Sequence, residues 1–144
     1  MAHRDKIYIS DEAEDIYALL QDDKPDVPTR PFRFAREVFM AAAVVGFIED
    51  RFKELKASGK KDKFGWSTLL HDANAVPVLR AIALCKTQDP SILLDDDIVA
   101  SIGESFANGG IEKLKEIVCG GSDELMDTAS YMMEHLNSVI DDDE

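Results

Sequence analysis

Apolar and polar positions change their rhythm near residue 10 of this chain. Residues 6–10, KIYIS, alternate with period two, so that Ile7 and Ile9 fall on one face and Lys6, Tyr8 and Ser10 on the other, the pattern of a short half-buried strand. From Asp11 the period lengthens to that of a helix. Ala13, Ile16, Tyr17 and Leu20 share one face of a helix predicted over Asp11–Gln21. Ser10 supplies an N-cap oxygen, and Asp11, Glu12 and Glu14 suit the positive end of the helix dipole.

DDKPDVPTRP, residues 22–31, carries three prolines and no period, and reads as a loop. A second helix is predicted from Phe32 to Leu55, with Phe34, Val38, Ala41, Ala42, Val45, Phe52 and Leu55 on a broad apolar side and Gly46 permitting close packing. Its run Val38–Ile48 is 11 residues long, short of the ~20 that a bilayer requires, so this is expected to be the central buried helix, with Phe39 and Val45 in the core. KASGKKDKFGW, residues 56–66, reads as a basic, glycine-bearing loop.

The remainder is helical in shorter pieces. STLLHDANAV starts one; VPVLRAIALCK continues as a helix from Ala75, capped by Asn74, with Pro77 in its first turn and Asp89-Pro90 as its end. A helix is predicted over Asp95–Ala107, with Asn108-Gly109-Gly110 as its C-cap, followed by IEKLKEIVCGG as a separate short helix. Ser122, Asp123 and Glu124 open a last helix to Ile140, and DDDE, at the negative end of that helix, frays. The fold class is therefore mainly α: a single compact multi-helix domain over residues 1–140 with one short N-terminal strand, then an acidic tail, 141–144.

That strand raises a problem, because five residues leave backbone groups unpaired on both edges and nothing later reads as a second strand. One solution is a second copy of the chain. Strand, helix, loop, helix is the order of a ribbon-helix-helix dimer, in which Lys6, Tyr8 and Ser10 would face outward toward a major groove while Ile7 and Ile9 face the core. The other is an extended leader lying across the chain's own helices.

Charge narrows the range of functions. Of 144 residues, 16 are Lys or Arg and 29 Asp or Glu, a net −13. Residues 1–68 hold 12 basic against 13 acidic side chains, whereas residues 69–144 hold 4 against 16. The C-terminal half thus repels phosphate backbones and is a poor nucleic-acid surface. Two basic groups sit in the other half: Arg30, Arg33 and Arg36 lead into the second helix, and Arg51, Lys53, Lys56, Lys60, Lys61 and Lys63 cluster at its far end. Glu37, Glu49, Asp50, Glu54 and Asp62 are interleaved with them, which suits a mixed solvated surface. The candidate basic surface is Arg51, Lys53, Lys56, Lys60 and Lys61. The candidate acidic surface is Asp95, Asp96, Asp97, Asp123 and Glu124, which also suit helix starts.

Candidate chemistry is sparse. His3, His71 and His135 accompany no GxSxG or HEXXH, and His71 with Cys85 has no spacing that fixes a catalytic pair. Asp95-Asp96-Asp97 lacks the alternating ligands and glycine of an EF-hand loop, and no glycine-rich phosphate loop follows a strand. No catalytic, cofactor-binding or metal-ligating residue is assigned, and no cofactor is expected. Cys85 and Cys119 lack CxxC spacing, and no signal peptide precedes MAHRDK, which points to a reducing cytoplasm without disulfides; with no apolar run longer than Val38–Ile48, a soluble chain with no membrane partner is expected.

Three stretches, DKIYISDEAEDIYALL, REVFMAAAVVGF and ILLDDDIVASIGESFANGGIEKL, resemble in the same order the small Dnd-system-associated protein family found beside bacterial DNA-phosphorothioation genes. The resemblance runs from Asp5 to Leu114. It implies an accessory cytoplasmic protein of a defence or modification locus and carries over no catalytic residue. Three functions follow as expectations: a non-enzymatic accessory protein that binds other proteins of the defence system; a dimeric DNA-binding factor using its N-terminal half; or an acidic DNA mimic that occupies a basic partner's groove.

Overall fold

The structure is a computed structural model that describes residues 5–21 and 31–119. It is mainly helical, with a two-stranded antiparallel sheet at its N-terminal end. Strand β1 (Lys6–Ser10) buries Ile7 and Ile9, as the alternation requires, and leads directly into α1 (Asp11–Leu20). The Ser10 hydroxyl accepts the Ala13 N–H at 3.1 Å and so caps α1, which buries Ala13, Tyr17 and Leu20.

The strand's partner lies in the same chain. β2 (Lys60–Gly65) pairs antiparallel with β1, setting Ile9 opposite Lys61 and Ile7 opposite Phe64. The register slips between Ile7 and Tyr8, because Tyr8 lies opposite Asp62 and Lys63 becomes the extra residue of a bulge. The loop expected over residues 56–66 is thus half strand, and β1 has within its own chain the partner that the sequence did not reveal, on one edge of the strand. KKDKFG hides its nature because Lys60, Lys61 and Asp62 are all exposed, so no apolar alternation marks it, although charges are what an exposed edge strand uses against aggregation.

Helix α2 (Ala35–Ile48) starts where Glu37 Oε1 accepts the N–H groups of Arg33 at 3.1 Å and Phe34 at 3.0 Å. It ends about two turns before the expected Leu55. Asp50 adopts the left-handed conformation at φ 55°, and the Arg51 N–H closes back on the Gly46 carbonyl at 2.7 Å. Phe52 and Leu55 therefore lie on a strap, residues 51–56, which is fastened to the last described helix: the Lys53 N–H donates to Ser105 O at 3.0 Å, and Asn108 Nδ2 donates to Lys53 O at 2.9 Å.

After α3 (Trp66–Leu70), helix α4 (Ala75–Thr87) starts at the expected residue with Pro77 in its first turn. It stops at Gln88, whose φ is 59°. Cys85 is exposed on α4. A 3-10 turn, Pro90–Leu94, then leads to α5 (Asp96–Cys119), where Asp95 Oδ1 accepts the N–H groups of Asp97 at 3.1 Å and Ile98 at 3.3 Å.

Helix α5 runs unbroken through Asn108-Gly109-Gly110, where the sequence predicts a stop. Each glycine sacrifices about 1 kcal/mol of helix propensity, but no larger residue fits. A Cβ on Gly109 would press on the Arg51 backbone, and one on Gly110 would lie 2.8 Å from Gly46 Cα on α2. Ile102 to Ala107 are all buried, the charged Glu104 included, so α5 and not α2 is the central helix. On α2 Phe39 is buried as expected, but Val45 is only half-buried. No helix among the described residues is long and apolar enough to cross a membrane. The predicted last helix, Ser122–Ile140, and the acidic tail lie outside the described residues, as does most of the proline-rich loop.

Candidate interaction surface

The five candidate basic residues are all exposed, with Arg51, Lys53 and Lys56 on the strap and Lys60 and Lys61 on β2. They do not present a field of one sign, because the acidic first turn of α1 faces them. Lys61 Nζ lies 2.9 Å from Glu14 Oε2 and 3.7 Å from Asp11 Oδ1, and Lys53 Nζ lies 3.9 Å from Glu12 Oε2. A hydrogen bond from Lys61, and then its charge, holds the Glu14 carboxyl below its ordinary range. The same hydrogen bond, then the charges of Glu14 and Asp11, raises the Lys61 ammonium. Lys60 Nζ sits 4.7 Å over the Tyr8 ring, so the candidate strand and candidate basic group meet along the sheet. Sequence reasoning missed this pairing of signs because about fifty residues separate Asp11 from Lys61.

At the opposite end of the candidate set, Asp95, Asp96 and Asp97 form the start of α5. Asp96 lies 3.7 Å from Arg80 Nη2. Immediately before them Leu94 is 94% exposed, and Ile98, one turn on, is 39% exposed. The acidic helix start therefore carries two apolar side chains that the charge pattern alone did not single out. The signal was present in ILLDDDIVA: of Ile92, Leu93 and Leu94, only the first two turn inward. Asp123 and Glu124, assigned to the same surface, lie outside the described residues.

Glu104 is the buried polar centre of the fold, and its Oε2 accepts the Tyr8 N–H at 2.6 Å. The nearby Tyr17 phenol is raised far above its ordinary range, by burial first and then by the Glu104 charge. Its hydroxyl finds no hydrogen-bond partner among the described residues. A cleft of about 300 Å³ opens beside Glu104, lined by Phe52, Leu55, Lys60, Ser101 and Ser105 among others. Its Ser105 hydroxyl is engaged by the Ser101 carbonyl at 3.0 Å. His71 uses Nδ1 on the Ser67 carbonyl at 2.7 Å. Among the described residues, no three His, Cys, Asp or Glu side chains gather where they could hold a metal ion.

A second depression is apolar. Met40, Ala41, Val44 and Val45 of α2 and Ala75 and Val78 of α4 line a groove of about 450 Å³, with Asp72 and Asn74 as its polar lining. It lies on the side of α2 turned away from Val38, Phe39, Ala42 and Gly46, which pack inward.

Compared with known proteins, residues 6–144 match the family described as DNA sulphur modification system-associated protein 4, and the chain belongs to that family. No curated protein and no solved structure matches it. What membership shows is association with a DNA sulphur modification system.

Proposed function

We propose that this member of the family is a non-enzymatic accessory protein that acts in the cytoplasm by binding other proteins of its DNA sulphur modification system. The observation that carries this reading over DNA binding is the apposition of Lys61 with Glu14 at 2.9 Å, reinforced by Lys61 with Asp11 and Lys53 with Glu12. Cations that phosphates would need are already opposite carboxylates, and duplex binding would have to displace them at the cost of repulsion from α1. The dimeric DNA reader is also less needed, because β1 has a partner in β2 and does not require a second copy to pair it.

The start of α5 is the contact surface of this reading. Leu94 and Ile98 supply apolar area inside an acidic frame, a combination suited to a protein partner with an apolar pocket and a basic rim. It suits a DNA mimic less well, since a mimic presents spaced charges and not an exposed leucine.

The test between protein and DNA is a titration of labelled duplex at two salt concentrations. Binding through phosphates falls steeply with salt. The proposal expects no duplex binding at micromolar protein and physiological salt; tight, salt-sensitive binding would replace it with the DNA-binding alternative.

A further inference from the structure

The cleft beside Glu104 is built from three separate elements. The strap contributes Phe52, Glu54 and Leu55, α5 contributes Ile102 and Glu104, and β2 contributes Lys60. Its walls are fixed before anything binds. Lys53, between Phe52 and Glu54, is bonded through its backbone to the Ser105 carbonyl and to Asn108 Nδ2, and the Phe52 ring meets that of Phe106 edge-on at 4.9 Å. At about 300 Å³ the space stands at the small end of the range that small-molecule sites occupy.

The charge inside it is the unusual feature. Glu104 is only 5% exposed, and a carboxylate taken out of water is costly unless something compensates it. Its bond to the Tyr8 N–H at 2.6 Å asks only for an acceptor oxygen, which the amide of a glutamine would supply as well. The negative charge is therefore more than that contact needs. A few polar groups converging on an apolar-walled cleft are the mark of a binding site.

Electrostatics selects the ligand. Among the described residues that line the cleft, two carboxylates, Glu54 and Glu104, stand against one ammonium, Lys60, which leaves a surplus of one negative charge. The Lys60 ammonium itself sits over the Tyr8 ring at 4.7 Å. We propose that the cleft binds a small organic ammonium ion, with its charge set against Glu104 and Glu54 and its apolar body against Phe52, Leu55 and Ile102. The Ser105 hydroxyl donates to the Ser101 carbonyl at 3.0 Å and keeps its lone pairs for an N–H of the ligand. An anion would meet the surplus charge with its own sign, and a bare metal ion would give the three apolar side chains nothing to cover. This inference rests on neither Leu94 nor Ile98, and so is independent of the protein-binding role.

The probe is n-butylammonium, with 1-butanol as its uncharged counterpart. Titrated into the isotopically labelled full chain at physiological salt, butylammonium should give saturable amide shifts centred on Leu55, Ser101 and Ser105. Butanol should bind at least about tenfold more weakly, ~1.4 kcal/mol. Glu104→Gln, which keeps an acceptor for Tyr8, should weaken butylammonium at least about tenfold and leave butanol unchanged. Should that variant fail to fold, Lys60→Met, at an exposed position, decides instead: with the like charge gone, butylammonium should bind several-fold more tightly. Butylammonium that binds no better than butanol, or that shifts residues away from the cleft, overturns the proposal. So does binding that is indifferent to Glu104→Gln or, where that variant does not fold, to Lys60→Met.

Discussion

Gly46 of α2 and Gly110 of α5 face each other so closely that a Cβ on Gly110 would lie 2.8 Å from Gly46 Cα and would also press on the Ala42 carbonyl oxygen. The two longest described helices thus meet backbone to backbone, and the obstructing atoms cannot rotate away. Gly110→Ala sets helix propensity, a gain of up to about 1 kcal/mol, against overpacking, a loss of about 1–3 kcal/mol or more. The crossing makes overpacking win. Urea unfolding should show a lower midpoint for the variant; an equal or higher midpoint would mean that the helices are free to separate.

Phe39→Ala should be still more damaging. Phe39 is wholly buried, and its ring meets that of Phe64 on β2 edge-on at 5.6 Å, so it joins α2 to the sheet. Removing such a side chain costs about 3–5 kcal/mol, much of a small domain's stability. The variant should be largely unfolded at 37 °C by circular dichroism; a wild-type melting curve would show that this position contributes little to the core.

What the sequence made legible was local. Ser10 as a cap, Ile7 and Ile9 as the inward face of β1, Pro77 in the first turn of α4 and the acids at the start of α5 all depend on neighbours within four residues. What it concealed depended on distant ones. β2 carries no apolar period because its ladder and the single apolar side chain of Phe64 hold it; and Asn108-Gly109-Gly110 looks like a helix end until Gly46 and Arg51 are known to lie against it. The candidate surfaces divide in the same way. Asp95, Asp96 and Asp97 stand where their spacing put them, whereas the meaning of Lys53 and Lys61 changed once Glu12 and Glu14 were seen opposite them.

Pairing of β1 within the chain has a consequence for concentration. A dimer held by two copies of β1 would melt at a temperature that rises with protein concentration. Here the melting temperature should stay constant over a hundredfold dilution, and sedimentation should show no dissociation that depends on β1. A melting temperature that falls on dilution, and does so less after residues 1–10 are deleted, would mark a dimer held through β1.

The Glu14–Lys61 pair makes a prediction about pH. Glu14 is depressed in the folded chain, so its contribution is present above the ordinary carboxylate range and is lost as pH falls through the folded value. Lys61 is raised, so its contribution is present below the ordinary lysine range and is lost as pH rises through the folded value. The pair is therefore intact between those limits and weakened by salt, because both groups are exposed. In an NMR titration the Glu14 carboxyl should move up toward the ordinary range in Lys61→Met; no movement would mean that the ion pair does not persist in solution.

The central claim is that this chain works by holding proteins and not DNA. The most direct measurement is co-purification of the tagged full chain with the other proteins of its modification system, expressed together, with and without exhaustive nuclease treatment at physiological salt. The account predicts a complex that survives nuclease and is weakened at least about tenfold, ~1.4 kcal/mol, by Leu94→Asp, whose side chain is 94% exposed and contributes little to the fold. A complex that disappears with nuclease, or one recovered equally well from wild type and Leu94→Asp, would contradict it.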